Sequence, residues 1–501
     1  MRYVGAIDQG TTSTRFILFN ERGEAVATHQ LEHRQYYPEP GYVEHDPEEI
    51  WNNTRTVIRE AVRKSGVSVR DIKGLGITNQ RETIIPFDPV TGEVLHNAIV
   101  WQDLRASGIV ESFRDLISAE RLREKTGLLF SPYFSASKIV WLIRNVPLVK
   151  ERLEAGRCVF GTIDSYLAYK LTGRIITDVT NASRYMLMNI STLKWDEELL
   201  ELFGIPESAL PEIVPSMGEI YGETDILGAK VPLCGILGDQ QAALFGQACF
   251  SEGEAKCTYG TGCFMLVNTG EKLCYSTKGL VSTVAFQAKG EKPRYAIEGS
   301  VAIAGSLVQW ARDNLKMVSN AKELDELASS VSDCGGVYIV PAFSGLFAPH
   351  WRSDARGVIA GLTGYVTRAH ICRAVLEATA FQANDIFEAM ELDSGIKLRQ
   401  LRVDGGLTNS NPLMEFQSDI LSIPVVRPRI TETTALGAAF AAGLSVDIWQ
   451  NRENLSKYWK EQLRWTPSME EKTRLDKIVL WRKAVSRTLN WASKEEDVCL
   501  V

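Results

Sequence analysis

Several short segments of this chain carry residue types that could handle phosphate or a polyol. Asp8-Gln9-Gly10-Thr11-Thr12-Ser13 packs a carboxylate, a glycine and three hydroxyls into one tight bend. Backbone N–H groups in such a bend can surround phosphate oxygens, with Thr11, Thr12 and Ser13 as extra donors; a plain hairpin turn is the alternative. Gly260-Thr261-Gly262 repeats the pattern far along the chain, and two such turns could grip a nucleotide's phosphates from both sides. Asp404-Gly405-Gly406 follows the strand-like Leu401-Arg402-Val403, where paired glycines allow a ligand close to the backbone, as an adenosine site needs. A simple strand-to-helix turn would read the same way. The GxxxxGK[ST] pattern occurs nowhere, which disfavours P-loop chemistry.

Asp239 stands in Gly238-Asp239-Gln240-Gln241, between an apolar strand from Pro232 to Leu237 and a helix-like run from Ala242 to Gly246. A carboxylate at such a crevice edge could accept a hydroxyl proton as a general base, or could simply cap the helix. Arg81-Glu82, Trp101 and Tyr133 together suit a polyol: charged and phenolic groups exchange hydrogen bonds with vicinal hydroxyls, and an aromatic face covers C–H bonds. Taken singly, an exposed salt bridge and ordinary core packing explain them as well.

The elements that must position these residues alternate between strand and helix. Tyr3 to Ile7 and Phe16 to Phe19 read as strands around the hydroxyl-rich turn. Asp46 caps a helix with Pro47 at its first position and Glu49 three residues on; Ile50, Thr54, Val57, Ile58, Ala61 and Val62 form its buried stripe, and Gly66 ends it. Ile72 to Ile77 returns as a strand. The opening recurs at Cys257 to Asn268 as strand, glycine-threonine turn and strand, which suggests a duplicated fold. Helical patterns follow at Ala302 to Arg312, Arg368 to Leu392, Asn411 to Leu421 and Thr434 to Gly443, with strand-like Val337 to Pro341 and Leu401 to Val403 between them. After Thr466 comes a mixed charged and apolar, helix-like tail.

At 501 residues the chain exceeds the ~250 to 300 residues one core can serve, so at least two lobes are expected, with a boundary near Phe250. Composition is that of an ordinary globular protein, 45% hydrophobic and 23% charged. A net charge of −7 without a clustered basic surface argues against nucleic acid and anionic membrane and for a small-molecule partner. The start runs directly into a strand without a secretory signal, and no stretch is long enough to span a membrane. Nine cysteines, from Cys158 to Cys499 and without a CxxC pair, read as small buried thiols of a reducing cytoplasm.

Together these segments resemble the FGGY carbohydrate kinases, over essentially the whole chain. Tyr133-Phe134-Ser135-Ala136-Ser137-Lys138-Ile139-Val140-Trp141-Leu142-Ile143-Arg144-Asn145 looks like the first family signature. Gly357-Val358-Ile359-Ala360-Gly361-Leu362, continuing through His370-Ile371 to Ala374-Val375-Leu376-Glu377, looks like the second. Within the family, Asp8 to Ser13, Asn79 to Glu82, Gly238 to Ala243 and Tyr259 to Phe264 look like the members that act on glycerol. The motifs are individually weak; their order and spacing across both lobes carry the resemblance.

The resemblance implies an α/β fold of duplicated ribonuclease-H-like lobes around a central cleft, the actin-like ATPase architecture. Residues 1–249 would mainly bind glycerol and 250–501 mainly ATP. It implies ATP-dependent phosphorylation of glycerol to sn-glycerol 3-phosphate by in-line transfer, with Mg2+. Arg81, Glu82, Tyr133, Asp239 and Gln240 would bind the glycerol hydroxyls, Trp101 and Phe264 would lie against its carbons, and Asp239 would be the base. Thr11, Thr12, Ser13, Arg15 and Thr261 would meet the phosphates. Gly305, Gln309, Gly406 and Asn411 would line the nucleotide site, and Asp8 would hold magnesium through water. A homo-oligomer, dimer or tetramer, is also implied.

Two departures stand out. Ser410 occupies a position where many members have Asn, on the adenine side. Tyr221 to Lys230 lacks the longer glycine-rich basic loop through which some bacterial members bind fructose 1,6-bisphosphate, and lacks the histidine that others phosphorylate, so such regulation is expected to be absent or altered. The rival readings are another FGGY kinase, acting on a pentulose, erythritol or gluconate, and a noncatalytic actin-fold protein that moves on ATP. Arg81-Glu82 with Trp101 argues against the first, and Asp239 beside a polyol constellation against the second.

Overall fold

The computed structural model describes residues 1–492 of the 501. β1 (Tyr3–Gln9), β2 (Ser13–Asn20) and β3 (Ala25–Glu32) form an antiparallel meander. α1 (Pro47–Ser65) then crosses to β4 (Ile72–Asn79), which lies parallel to β1. The expected stripe of α1 is buried, Asp46 accepts from the Glu48 N–H at 2.9 Å, and Gly66 closes the helix at φ 68°. Glu49 does not return to the cap; its carboxylate accepts from the Arg34 N–H at 3.3 Å instead. β5 (Met217–Thr224) and β6 (Val231–Gly238) complete a six-stranded sheet in the order β5-β6-β4-β1-β2-β3, with β6 parallel to β4. The Tyr221 to Lys230 stretch is the end of β5 and the tight turn to β6, closed by Gly228 N–H to Asp225 C=O at 2.7 Å.

α2 (Asp239–Gly246) leads to the second sheet. Its strands are β7 (Ala255–Tyr259), β8 (Cys263–Gly270), β9 (Val281–Phe286) and β10 (Arg294–Val301). After α3 (Gly305–Asp313) and α4 (Arg368–Ser394) come β11 (Leu401–Asp404), α5 (Asn411–Leu421), β12 (Val425–Pro428), α6 (Thr433–Ser445) and β13 (Glu461–Trp465). The order is β9-β10-β8-β7-β11-β12-β13. Both sheets obey one pairing rule. β7, β8 and β10 are antiparallel as β1, β2 and β3 are, and β11 and β12 join β7 in parallel as β4 and β6 join β1. This is the duplication suggested by the two turn-bearing openings, in the ribonuclease-H-like form that the family resemblance implies.

α6 follows the last parallel strand of the second sheet, yet it packs on α2 and on the face of the first sheet. Val4, Ile17, Leu237, Phe245, Leu266, Ala438 and Phe440 accordingly share one buried cluster. Contact is at backbone distance: a Cβ on Gly437 would collide with the Ala242 carbonyl, so only glycine permits that approach. Helix α3 begins three residues later than Ala302, because Ala304 and Ser306 donate N–H groups to the Thr261 carbonyl at 2.9 and 3.1 Å. The tail folds as a helix over Glu471–Ser486. Among the described residues no helix is long and apolar enough to cross a membrane. Cys158 and the seven cysteines after it through Cys372 are buried free thiols; Cys499 lies outside the described residues.

Candidate functional site

Register brings the chemistry-bearing residues to one edge. Gln9 of β1 lies beside Asn79 of β4, and Asn79 beside Gly238 of β6. Asp8, the run Gln80 to Glu82, and Asp239 therefore leave the carboxyl ends of three adjacent parallel strands, where α/β sheets open a crevice. Asp8 and Gln9 belong to β1 rather than to the turn, which is Gly10 to Thr12, closed by Gly10 N–H to Ser13 C=O at 2.9 Å. Its counterpart closes by Gly260 N–H to Gly262 C=O, also at 2.9 Å. Gly305, at the start of α3, donates to the Gly260 carbonyl at 3.0 Å, and a Cβ there would sit 2.6 Å from that oxygen.

The exposed-salt-bridge alternative for Arg81 and Glu82 fails: they are 2% and 1% exposed. Arg81 Nε lies 3.1 Å from Asp239 Oδ1, and its terminal nitrogens donate to both oxygens of Glu298 at 2.6 and 2.8 Å and to Gln241 Oε1 at 3.1 Å. Glu82, at φ 61°, accepts from Arg184 Nε at 2.5 Å. The Arg184 guanidinium stands 5.8 Å from the Tyr133 ring and 5.2 Å from Phe134, and Tyr133 meets Trp101 edge-on at 5.5 Å. Lys138, from the first family signature, holds this loop by donating to the carbonyls of Pro132, Tyr133 and Phe134 at 2.8, 2.6 and 3.2 Å. Trp101 Nε1 donates to Thr11 Oγ1 at 3.0 Å, joining these aromatic side chains to the Gly10–Thr12 turn.

Asp239 is the first residue of α2, after Gly238 at the cap, and its Oδ1, paired with Arg81, also accepts from the adjacent Gln240 N–H at 2.7 Å. A capping carboxylate would reach one or two residues further, so the cap alternative does not describe it. Its Oδ2 makes no hydrogen bond among the described residues, and the side chain keeps 30% exposure. Burial pushes the Asp239 carboxyl up from its usual value, against the lowering pull of Arg81 and then Lys256. Burial also pushes Glu298 up, but Arg184 and Arg81 override it and hold its carboxyl at about 2.

In the Asp404-Gly405-Gly406 segment, Gly405 rather than Gly406 is the glycine that sterics demand. It has φ 90°, and a Cβ would strike the Tyr259 backbone. Gly406 faces open space, which leaves room for a ligand. Ser410 caps α5 by accepting from Leu413 N–H and donates to Asp325 Oδ1 at 2.7 Å, a structural employment for the departing residue. Asn411 and Gln309 are exposed on α5 and α3. Arg15 is ion-paired to Asp8 at 2.8 Å and to Glu432 at 2.6 Å. Among the described residues no three His, Cys, Asp or Glu side chains group as a metal cage. Asp8 as a lone carboxylate still fits magnesium, which takes one or two carboxylates and otherwise water and phosphate oxygens.

Sequence reasoning missed Arg184, Gln241, Lys256 and Glu298. For Lys256 and Glu298 a signal existed: each is the lone charge between apolar neighbours in a strand, in Ala255-Lys256-Cys257 and Ile297-Glu298-Gly299, and a charge buried there needs a partner.

Comparison with known proteins bears on this geometry. The model for the FGGY family of carbohydrate kinases, N-terminal domain, matches residues 3–246, and that for the C-terminal domain matches residues 255–446. The chain is 54% identical over 500 residues to a glycerol kinase of Methylobacterium radiotolerans, covering 99% of this chain and 100% of that one. It is 54% identical over 504 residues to a glycerol kinase of Renibacterium salmoninarum, covering 99% of each. The crystal structure of Plasmodium falciparum glycerol kinase with ADP superposes with a TM-score of 0.93 at 43% identity over 98% of both chains. A ligand-bound xylulose kinase from Lactobacillus acidophilus, at 22% identity over 97% of each chain, shares the fold with a TM-score of 0.86.

Proposed function

The chain belongs to the FGGY family of carbohydrate kinases, and from that membership we infer that it transfers the terminal phosphoryl group of ATP to glycerol, giving sn-glycerol 3-phosphate. The observation that best supports the reading is Asp239: one oxygen is fixed by Arg81 Nε and its own helix, while Oδ2 makes no hydrogen bond among the described residues and the side chain stays 30% exposed.

A terminal glycerol hydroxyl attacks the γ-phosphorus in line; its O–P bond forms as the bond to the leaving ADP oxygen breaks, and its proton passes to Asp239 Oδ2. Arg81 and Glu82 bond the hydroxyls, their orientation fixed by Glu298 and Arg184. Tyr133 and Gln240 add polar contacts, and Trp101 and Phe264 cover the carbons. Thr11, Thr12, Ser13, Arg15 and Thr261 meet the phosphates, and Gly305, Gln309, Gly406 and Asn411 line the nucleotide. Magnesium, when bound with the nucleotide, neutralises charge on the phosphate oxygens, and Asp8 is the residue that would hold it through water. Residues 1–249 take mainly glycerol and 250–501 mainly ATP. Closure of the lobes excludes water, which would otherwise compete as acceptor.

The buried thiols support a cytoplasmic setting, and the acidic balance supports small-molecule partners over nucleic acid or membrane. Resemblance to the family supports a homo-oligomer, dimer or tetramer.

The test is ADP release from protein with magnesium and ATP, comparing no acceptor with glycerol, erythritol, xylulose, ribulose and gluconate. Strong dependence on glycerol is expected. Preference for another acceptor keeps the family and discards the substrate; release independent of acceptor sinks the kinase reading.

A further inference from the structure

Lys256 is fully buried at the junction of the two lobes, on β7, and the mechanism above does not use it. Its three hydrogen-bond partners are neutral oxygens: Gln240 Oε1 at 2.5 Å, Thr258 Oγ1 at 2.9 Å and the Phe264 carbonyl at 3.4 Å. Gln240 belongs to α2, beside Asp239, whereas Thr258 and Phe264 belong to β7 and β8. One ammonium thus ties the acceptor side of the cleft to the strands that carry Phe264. The nearby carboxylates Asp404, Glu298 and Asp239 act on it from longer range, against the burial that pulls its pKa down.

An ammonium can only donate, so the amide of Gln240 must present its oxygen to Lys256. Its Nε2 is thereby turned away. Among the described residues that nitrogen has no protein acceptor, and it is not one of the fully buried unpartnered atoms. The amide donor and the open Asp239 Oδ2 leave neighbouring residues at the start of α2 with opposite polarity.

We propose that Lys256 is a positioning residue that locks the Gln240 amide with its NH2 toward the acceptor, making Gln240 a donor-only contact for a hydroxyl oxygen beside the hydroxyl whose proton goes to Asp239. The acceptor selected is a vicinal diol: one hydroxyl donates to a carboxylate and its neighbour accepts from an amide. This rests on the reading of the cleft as the glycerol site.

The test is the glycerol KM, ATP KM and kcat of the wild type, Lys256→Met, Gln240→Ala, the double variant and Gln240→Glu, with ADP binding as the check of folding. Lys256→Met frees the amide to rotate, so the glycerol KM is expected to rise about tenfold, the scale of one hydrogen bond, while the ATP KM moves less than about twofold. The double variant should be no worse than Gln240→Ala, because Lys256 acts through that amide. Gln240→Glu keeps an oxygen for Lys256 but loses the donor, so it should match Gln240→Ala; this arm decides the matter if Lys256→Met does not fold. An unchanged glycerol KM in Lys256→Met, multiplicative losses in the double variant, or wild-type glycerol KM in Gln240→Glu each overturn the proposal. A wild type indifferent to glycerol overturns the acceptor reading itself, which is a distinguishable failure.

Discussion

Arg81 and Glu298 are joined by two parallel N–H···O bonds, of 2.6 and 2.8 Å, that run from the end of a first-sheet strand to the middle of a second-sheet strand. Glu298 also receives Arg184 at 3.4 Å, so one carboxylate serves two buried guanidiniums. Arg81 in turn sets Asp239 at 3.1 Å. The carboxylate proposed to accept the proton is thus oriented from the opposite lobe.

Glu298→Gln keeps the shape but leaves Arg81 without its full countercharge. Breaking a buried pair from one side is expected to lower stability by about 3–5 kcal/mol, read from the urea midpoint. The pH dependence has a definite sign. A carboxyl held at about 2 against an ordinary 4.5 contributes stability above the higher value and loses it as pH falls through the lower. The wild type should therefore lose stability between those limits, and Glu298→Gln should lose less over the same range. Equal acid loss in both proteins would show that the pair is not what titrates.

Asp239→Asn should lower kcat by at least about 100-fold while ATP affinity stays within about twofold, since the variant removes the proton acceptor but not the phosphate turns. Because burial raises the Asp239 carboxyl and only its ionised form takes a proton, the acid limb of kcat should lie above the ordinary carboxylate range. Steady-state rates across pH check both points, and a fully active variant removes Asp239 from its role.

Trp101→Phe keeps an aromatic face for the acceptor's carbons and deletes the N–H that reaches Thr11 Oγ1 at 3.0 Å. The expected result is a three- to tenfold effect, about one hydrogen bond, on kcat or the ATP KM, with a smaller change in the glycerol KM. Parallel titration of both substrates reads the split; a change confined to glycerol would make the indole a wall and nothing more.

Much of this was legible in the chain. The stripe, the Asp46 cap and the closing glycine of α1 depend on local spacing and stand where the sequence places them, whereas α2 starts at Asp239 itself, three residues before the helix-like run, and Asp8 and Gln9 belong to β1. What local pattern could not supply was pairing across hundreds of residues. Arg81 and Glu82 suit a polyol in sequence, with an exposed salt bridge as the alternative for each, and neither reading supplies their main partners, Glu298 and Arg184, which sheet order brings in. Gly405 and Gly406 look interchangeable in sequence; only the approach of Tyr259 separates them. The late start of α3 has the same origin, a tertiary bond to Thr261 that overrides helical propensity.

The central claim is that phosphoryl leaves ATP for a terminal hydroxyl of glycerol, and the most direct measurement is 31P NMR of the products formed from ATP, magnesium and glycerol. ADP and a phosphomonoester on a terminal carbon are expected in equal amounts, with Asp239→Asn forming both at least about 100-fold more slowly. Inorganic phosphate in place of the ester, or an ester on the central carbon, would contradict it.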